Sequence, residues 1–150
     1  MDQFDCAILN ILQADASLTN AELGEKVHLS ASQISRRRAR LENDGYINGY
    51  RAEVNAEKLG FEIDVFIRVT LTAHSDDTAE EFGKFLRGFS QVRSAYALAG
   101  NADYLLHVKT RSLPDLSNFI NRQLLPHANV REVRSEIVLE RVKENAPLAL

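Results

Sequence analysis

The sequence has a single cysteine, a single methionine, three prolines and no tryptophan. One cysteine, Cys6, excludes an intramolecular disulfide and every zinc pattern built on several cysteines, which suits a reducing compartment. Cys6 itself stands in an apolar helical stretch and reads as a packing residue rather than a reactive thiol. An excess of one charge is also missing. The 18 Lys and Arg stand against 21 Asp and Glu, for a formal net charge of -3, so any contact with a polyanion has to rest on local clustering. No apolar run approaches the length needed to span a bilayer, and Met1 to Asp5 show neither the basic start nor the apolar stretch of a signal peptide. A cytoplasmic protein without membrane contact is expected. The four histidines, His28, His74, His107 and His127, lack metal-ligand spacing. No nucleophile motif, phosphate loop or dinucleotide fingerprint occurs. No catalytic residue, metal or cofactor is assigned on this reading, and an enzyme is not expected.

What is present is enough apolar residue, 45% of 150, for one ordinary core or for two small ones divided by a linker. Phe4, Ile8, Ile11 and Leu12 recur at helical spacing behind Asp2 and Asp5, acids placed where a helix N-terminus favours them. Thr19 with Glu22 has the form of a capping box, and Leu23 with Val27 gives a short second helix. Ser30 with Gln33 repeats that form, so a third helix is expected from there to about Asp44, with Gly45 as its stop. Two short helices joined by a tight turn read as a helix-turn-helix, the third helix being the one that enters the major groove.

The charge of that third helix supports the reading. Arg36, Arg37, Arg38 and Arg40 fall close together with no acid between Ser30 and Leu41. Arginine binds phosphate and forks onto guanine, while Ser30, Ser32, Gln33 and Ser35 are short polar types that read bases or bond phosphate from a helix N-terminus. Double-stranded DNA is the expected partner, contacted by Ser30, Ser32, Gln33, Ser35, Arg36, Arg37 and Arg40, and a nucleoid-associated location follows. The run Gly45-Tyr46-Ile47-Asn48-Gly49-Tyr50 then suits a small hairpin or wing, with Asn48-Gly49 as its turn. Residues 1–52 are read as a winged helix-turn-helix domain and residues 53–60 as a linker.

From Phe61 to Leu71 apolar residues alternate along a half-buried strand. A helix over 75–89 carries Ala79, Phe82, Leu86 and Phe89, and a strand follows over 92–98. Gly100-Asn101-Ala102 turns into a strand over 103–109. Ser112, Pro114 and Asp115 start another helix, buried through Leu116, Phe119, Ile120 and Leu124, which Pro126 stops. Val133, Ser135, Ile137 and Leu139 alternate along a last strand. The order βαββαβ folds as a four-stranded antiparallel sheet with both helices on one face, a ferredoxin-like α+β domain over residues 61–150. The uncovered face would carry Phe66, Tyr96, Leu105 and Val138, an apolar surface that invites a second copy of the chain. A homodimer also suits a protein with one helix-turn-helix per subunit.

Taken together, Asp2 to Leu12, Leu29-Ser30-Ala31-Ser32, Arg37, Arg40-Leu41-Glu42, the run from Gly45 to Tyr50 and Gly100-Asn101-Ala102-Asp103-Tyr104-Leu105-Leu106 resemble the leucine-responsive and asparagine synthetase regulators, the Lrp/AsnC family. The resemblance covers almost the whole chain. It implies a transcriptional regulator whose second domain, the RAM domain, forms dimers that associate into tetramers or octamers and responds to a small metabolite, usually an amino acid. It places that effector between dimers, near Gly100 to Tyr104 and around Ser135 of the last strand. Asp103 would hold the α-amino group, Gly100 and Asn101 would approach the carboxylate, and Tyr104 would line the site or pack an interface. A local reading stands beside this one, in which Gly100 to Asp103 is a turn whose aspartate bonds the backbone. Two positions depart from the family pattern. Arg38 replaces an aliphatic residue, so its stem is expected to snorkel along the domain edge, and Asn101 stands where an acid is common. An amino-acid sensor acting through protein partners, and a small α+β enzyme, are the alternative readings; the arginine-rich third helix argues against the first, and missing chemistry against the second.

Overall fold

The computed structural model describes residues 1–73 and 75–150, which form two compact units, residues 1–53 with 142–150 and residues 54–141. His74 lies outside the described residues. Among the described residues no helix is long and apolar enough to cross a membrane.

In the first unit three helices begin at reciprocal caps. Helix α1, Gln3–Ala14, starts at Asp2, whose carboxylate accepts from the N–H groups of Phe4 and Asp5 while Asp5 accepts from the N–H of Asp2. Thr19 with Glu22 caps α2, Asn20–Val27, and Ser30 with Gln33 caps α3, Ala31–Asn43, each satisfying donors that a helix N-terminus leaves open. Ile8, Leu9 and Leu12 of α1, Leu23 and Val27 of α2, and Ile34 and Leu41 of α3 form the core. The turn between α2 and α3 is tight. His28 takes a left-handed conformation with φ 58°, and a Cβ on Gly24 would lie 2.4 Å from the Leu29 carbonyl oxygen. Gly45, at φ 77°, ends the α3 segment as expected.

The hairpin expected at 45–50 does not form a β-ladder. The N–H groups of Tyr46 and Ile47 both donate to the Leu41 carbonyl, and Ile47 packs on the core, so this stretch is tied to α3. A two-residue type I′ turn needs positive φ at both central residues, and of Asn48 and Gly49 only the glycine has it. The side-chain amide of Gln13 pairs with Leu148 in both directions, holding the C-terminal residues on α1.

The second unit contains β1 (Ile63–Leu71), α4 (Asp76–Arg87), β2 (Val92–Ala97), β3 (Tyr104–Thr110), α5 (Leu113–Asn118) and β4 (Val130–Ile137). Its sheet runs β2-β3-β1-β4 with antiparallel neighbours, the expected ferredoxin-like order. After α5 the chain does not stay α-helical to Leu124. Residues Phe119–Leu124 form a π-helical turn, the Leu125 N–H donating to Ile120. Val65, Ile67, Val69 and Leu71 of β1 and Leu106 and Val108 of β3 face Phe82 and Leu86 of α4 and Leu116, Phe119 and Leu124.

The opposite sheet face differs from the apolar surface that alternation suggested. Register places Phe66 beside His107, and the two rings stack at 4.9 Å. Tyr96 is exposed and Leu105 half-buried. The same face carries an ionic group in which Asp64 meets His107 at 2.6 Å, Arg141 at 2.8 Å and Lys109 at 3.2 Å, and an Arg68–Glu136 pair. Burial pushes the Asp64 carboxyl up, but hydrogen bonds from His107, Lys109 and Arg141 outweigh it and hold the group below its ordinary value.

Candidate nucleic-acid interface and ligand cleft

Helix α3 buries Ile34 and Leu41, two turns apart on one side, and exposes Ser32, Ser35, Arg36, Ala39 and Arg40. Spacing of three and four residues puts those five on one continuous stripe. Ser30 and Gln33 are partly committed to the cap. The Ser30 Oγ accepts from the Gln33 N–H, and the Gln33 Oε1 accepts from the Ser30 N–H at 2.9 Å and its hydroxyl at 3.0 Å. This leaves the amide nitrogen of Gln33 as its outward group.

The four arginines take four different positions. Arg36 is exposed and makes no hydrogen bond or ion pair among the described residues. Arg37 donates through Nη1 to Asp2 at 2.8 Å and to Asp5 at 2.7 Å, and its guanidinium lies 5.4 Å from the Phe4 ring centroid. Arg40 donates through Nη2 to Asp5 at 2.6 Å, its side chain 52% exposed. Arg38 turns away from the stripe, as its place in the family pattern implies. Its Nη1 donates to Asn20 Oδ1 at 3.0 Å and approaches the Leu18 carbonyl, while the guanidinium lies over Tyr50.

Sequence reading assigned Asp5 to the helix terminus and missed its burial. The residue is fully buried. Desolvation pushes its carboxyl up, yet the Asp2 N–H, the Arg37 hydrogen bond and the Arg40 charge together hold it below the usual range, so it stays ionised. The available signal was the pair of acids three residues apart ahead of an apolar helix; that the second faces two arginines from another helix is a tertiary fact.

In the second unit Asp103 and Tyr104 line a cleft of about 200 Å³ with Leu71, Ser75, Asp76 and Ala79. Asp103 joins strands through its backbone and side chain. Its N–H donates to the Val69 carbonyl, its own carbonyl accepts from Leu98, and its Oδ2 accepts from the Leu71 N–H at 2.7 Å. The aspartate does bond backbone, but across to β1 rather than within its own turn. The Tyr104 ring packs 5.0 Å from Phe82. Gly100 and Asn101 are exposed in the loop before Asp103, and Ser135 lies on β4 opposite Ile67; none of these three lines the cleft. Ser75 and Asp76, which the sequence marked only as a helix start, do line it.

Comparison with known proteins bears on both units. Residues 1–42 match the AsnC-type helix-turn-helix domain, and residues 64–148 match the Lrp/AsnC ligand binding domain. The leucine-responsive regulatory protein of Rhizobium meliloti is 35% identical over 144 residues, covering 96% of this chain and 92% of the relative. The crystal structure of a Neisseria meningitidis transcriptional regulator in complex with L-Met aligns with a TM-score of 0.94 at 35% identity, covering 99% of this chain and 96% of that one. An AsnC family transcriptional regulator of Agrobacterium tumefaciens aligns at 0.91 with 31% identity, covering 99% and 97%.

Proposed function

Because the chain belongs to the Lrp/AsnC family of transcriptional regulators, we infer that α3 is the element that reads duplex DNA. The observation that carries this is the exposed stripe Ser32, Ser35, Arg36, Ala39 and Arg40, opposite the buried Ile34 and Leu41. Its residue types fit a major groove. Arg36 forks onto a base edge or a phosphate, the serines and the Gln33 amide reach bases or phosphate, and the Ala39 methyl fits against thymine. Ser30 contributes through the helix N-terminus, and Arg37 and Arg40 contribute charge towards the backbone.

This is tested with a duplex enriched by the wild-type protein from a random-sequence pool. Arg36→Ala is expected to weaken binding by about 1–3 kcal/mol, the usual worth of a specific arginine contact. Thermal unfolding should stay nearly unchanged, since Arg36 is exposed and makes no hydrogen bond or ion pair among the described residues. Unchanged affinity and an unchanged salt slope would remove α3 from the interface.

The second unit is proposed to bind an amino acid. Support comes from its match to the family's ligand binding domain and from the L-Met of the Neisseria relative. Asp103 and Asp76 place negative charge beside the cleft for an α-amino group, and Tyr104 forms its apolar wall. Gly100, Asn101 and Ser135 are proposed to complete the site from a second copy of the chain, as the family resemblance implies. The open sheet face, with Phe66, Leu105 and Tyr96 among paired charges, suits the first contact between copies. On this reading the protein works by binding rather than catalysis, at the cytoplasmic nucleoid, and needs no cofactor.

A further inference from the structure

We propose that Asp5 is a positioning residue for DNA binding: from the first turn of α1 it fixes Arg37 and Arg40 by one nitrogen each, leaving their remaining N–H donors for the phosphate backbone. This rests on the reading of α3 as the recognition helix.

A carboxylate at this place in a helix needs no burial to complete a capping box, and the Thr19–Glu22 box is exposed. Asp5 by contrast is fully buried, with both oxygens in use. Oδ1 accepts from Arg37 Nη1 at 2.7 Å; Oδ2 accepts from the Asp2 N–H at 2.9 Å and from Arg40 Nη2 at 2.6 Å. The carboxylate is thus held from its own helix while it holds two side chains of another. A guanidinium is rigid and planar with five donors, so an anchored Nη restricts the direction of the rest. Neither Arg37 nor Arg40 makes a hydrogen bond through another nitrogen among the described residues.

Positions 37 and 40 are neighbours on the helix surface, and position 40 shares the exposed stripe with 36. One buried acid therefore orders two cations beside the proposed contact surface. Ordering them before binding removes part of the side-chain entropy that complex formation would otherwise cost. Asp2 and Asp5 offset the formal charge of Arg37 and Arg40, and the helix stays positive through Arg36 and Arg38, which have no acid partner among the described residues.

The test is Asp5→Asn, which keeps the shape and one acceptor oxygen but removes the charge. With the duplex selected by the wild-type protein, its affinity is expected to fall about tenfold, the order of one charge-assisted hydrogen bond. In an Arg37→Ala/Arg40→Ala background the same change is expected to alter affinity by less than about twofold, because the groups it orients are gone. Asp5→Glu, which keeps the charge but displaces it, should also weaken binding, and serves if the asparagine variant does not fold. Equal or tighter binding by a folded Asp5 variant overturns the proposal, since the acid would then merely join helices or compete with phosphate. So does an equal loss in the double-arginine background. Arg36→Ala separates the two readings, because Arg36 touches neither acid. If that variant binds like wild type the recognition-helix reading fails; if it binds weakly while Asp5 variants do not, positioning alone fails.

Discussion

Asp64 meets two cationic side chains, Lys109 and Arg141, and the His107 ring on one carboxylate, and its titration gives a direct check on the sheet face. Its folded value lies below its ordinary 3.8, so the ionised form is favoured by folding. Such a group adds stability that is fully present above the ordinary value and is lost as pH falls through the folded one. Wild-type protein is therefore expected to lose stability on acidification below about pH 4, and Asp64→Asn to flatten part of that fall. Urea unfolding of both proteins across pH 3 to 6 measures it; identical pH profiles would show that Asp64 is not ionised against its partners. Residues such as this one were opaque in the sequence, because Asp64, Lys109 and Arg141 are separated along the chain and meet only in the folded sheet, Lys109 by strand pairing and Arg141 from the segment after β4. Arg38 was more legible, since a long charged side chain at a position facing the core has few places to go. The bond of Asp103 was less legible, because a turn aspartate is expected to bond nearby N–H groups, whereas its Oδ2 accepts from Leu71, far along the chain on β1.

Elements were most legible where they are set by neighbours in sequence. The caps at Thr19, Ser30, Ser75 and Ser112 each accept from the N–H three residues on, as their spacing implies. Alternation over β1 likewise gave its buried face correctly. The stretch after Gly45 carries turn residues but forms no hairpin, because its N–H groups at Tyr46 and Ile47 are taken by the Leu41 carbonyl. The π-helical turn over Phe119–Leu124 has no sequence signature that separates it from an α-helix. Gly24 shows how tertiary approach outranks propensity. An alanine there would gain about 1 kcal/mol of helix propensity, but its Cβ would lie 2.4 Å from the backbone oxygen of Leu29. Gly24→Ala is expected to destabilise the first unit by about 1–3 kcal/mol, the range for overpacking against groups that cannot move aside. Chemical denaturation measures this, and a variant as stable as wild type would show that the α2–α3 turn is looser than described.

For the molecule as a whole, a net charge of -3 conceals the basic face of one helix. Two units of different construction carry two jobs, a helical unit with an exposed polar stripe and a sheet unit with a cleft and an open face. The sequence disclosed both units, because a cluster of arginines behind a capped helix and a βαββαβ order are patterns of the chain itself. It did not disclose which arginines are spoken for, nor that Gly100, Asn101 and Ser135 stand outside the cleft of their own chain. The most direct measurement is a titration of the selected duplex with full-length protein at several salt concentrations, with and without L-amino acids at millimolar concentration. Affinity is expected to fall steeply with salt, as phosphate contacts by several cations require, and the midpoint to move with at least one amino acid. Binding that is insensitive to salt and to every amino acid would contradict both.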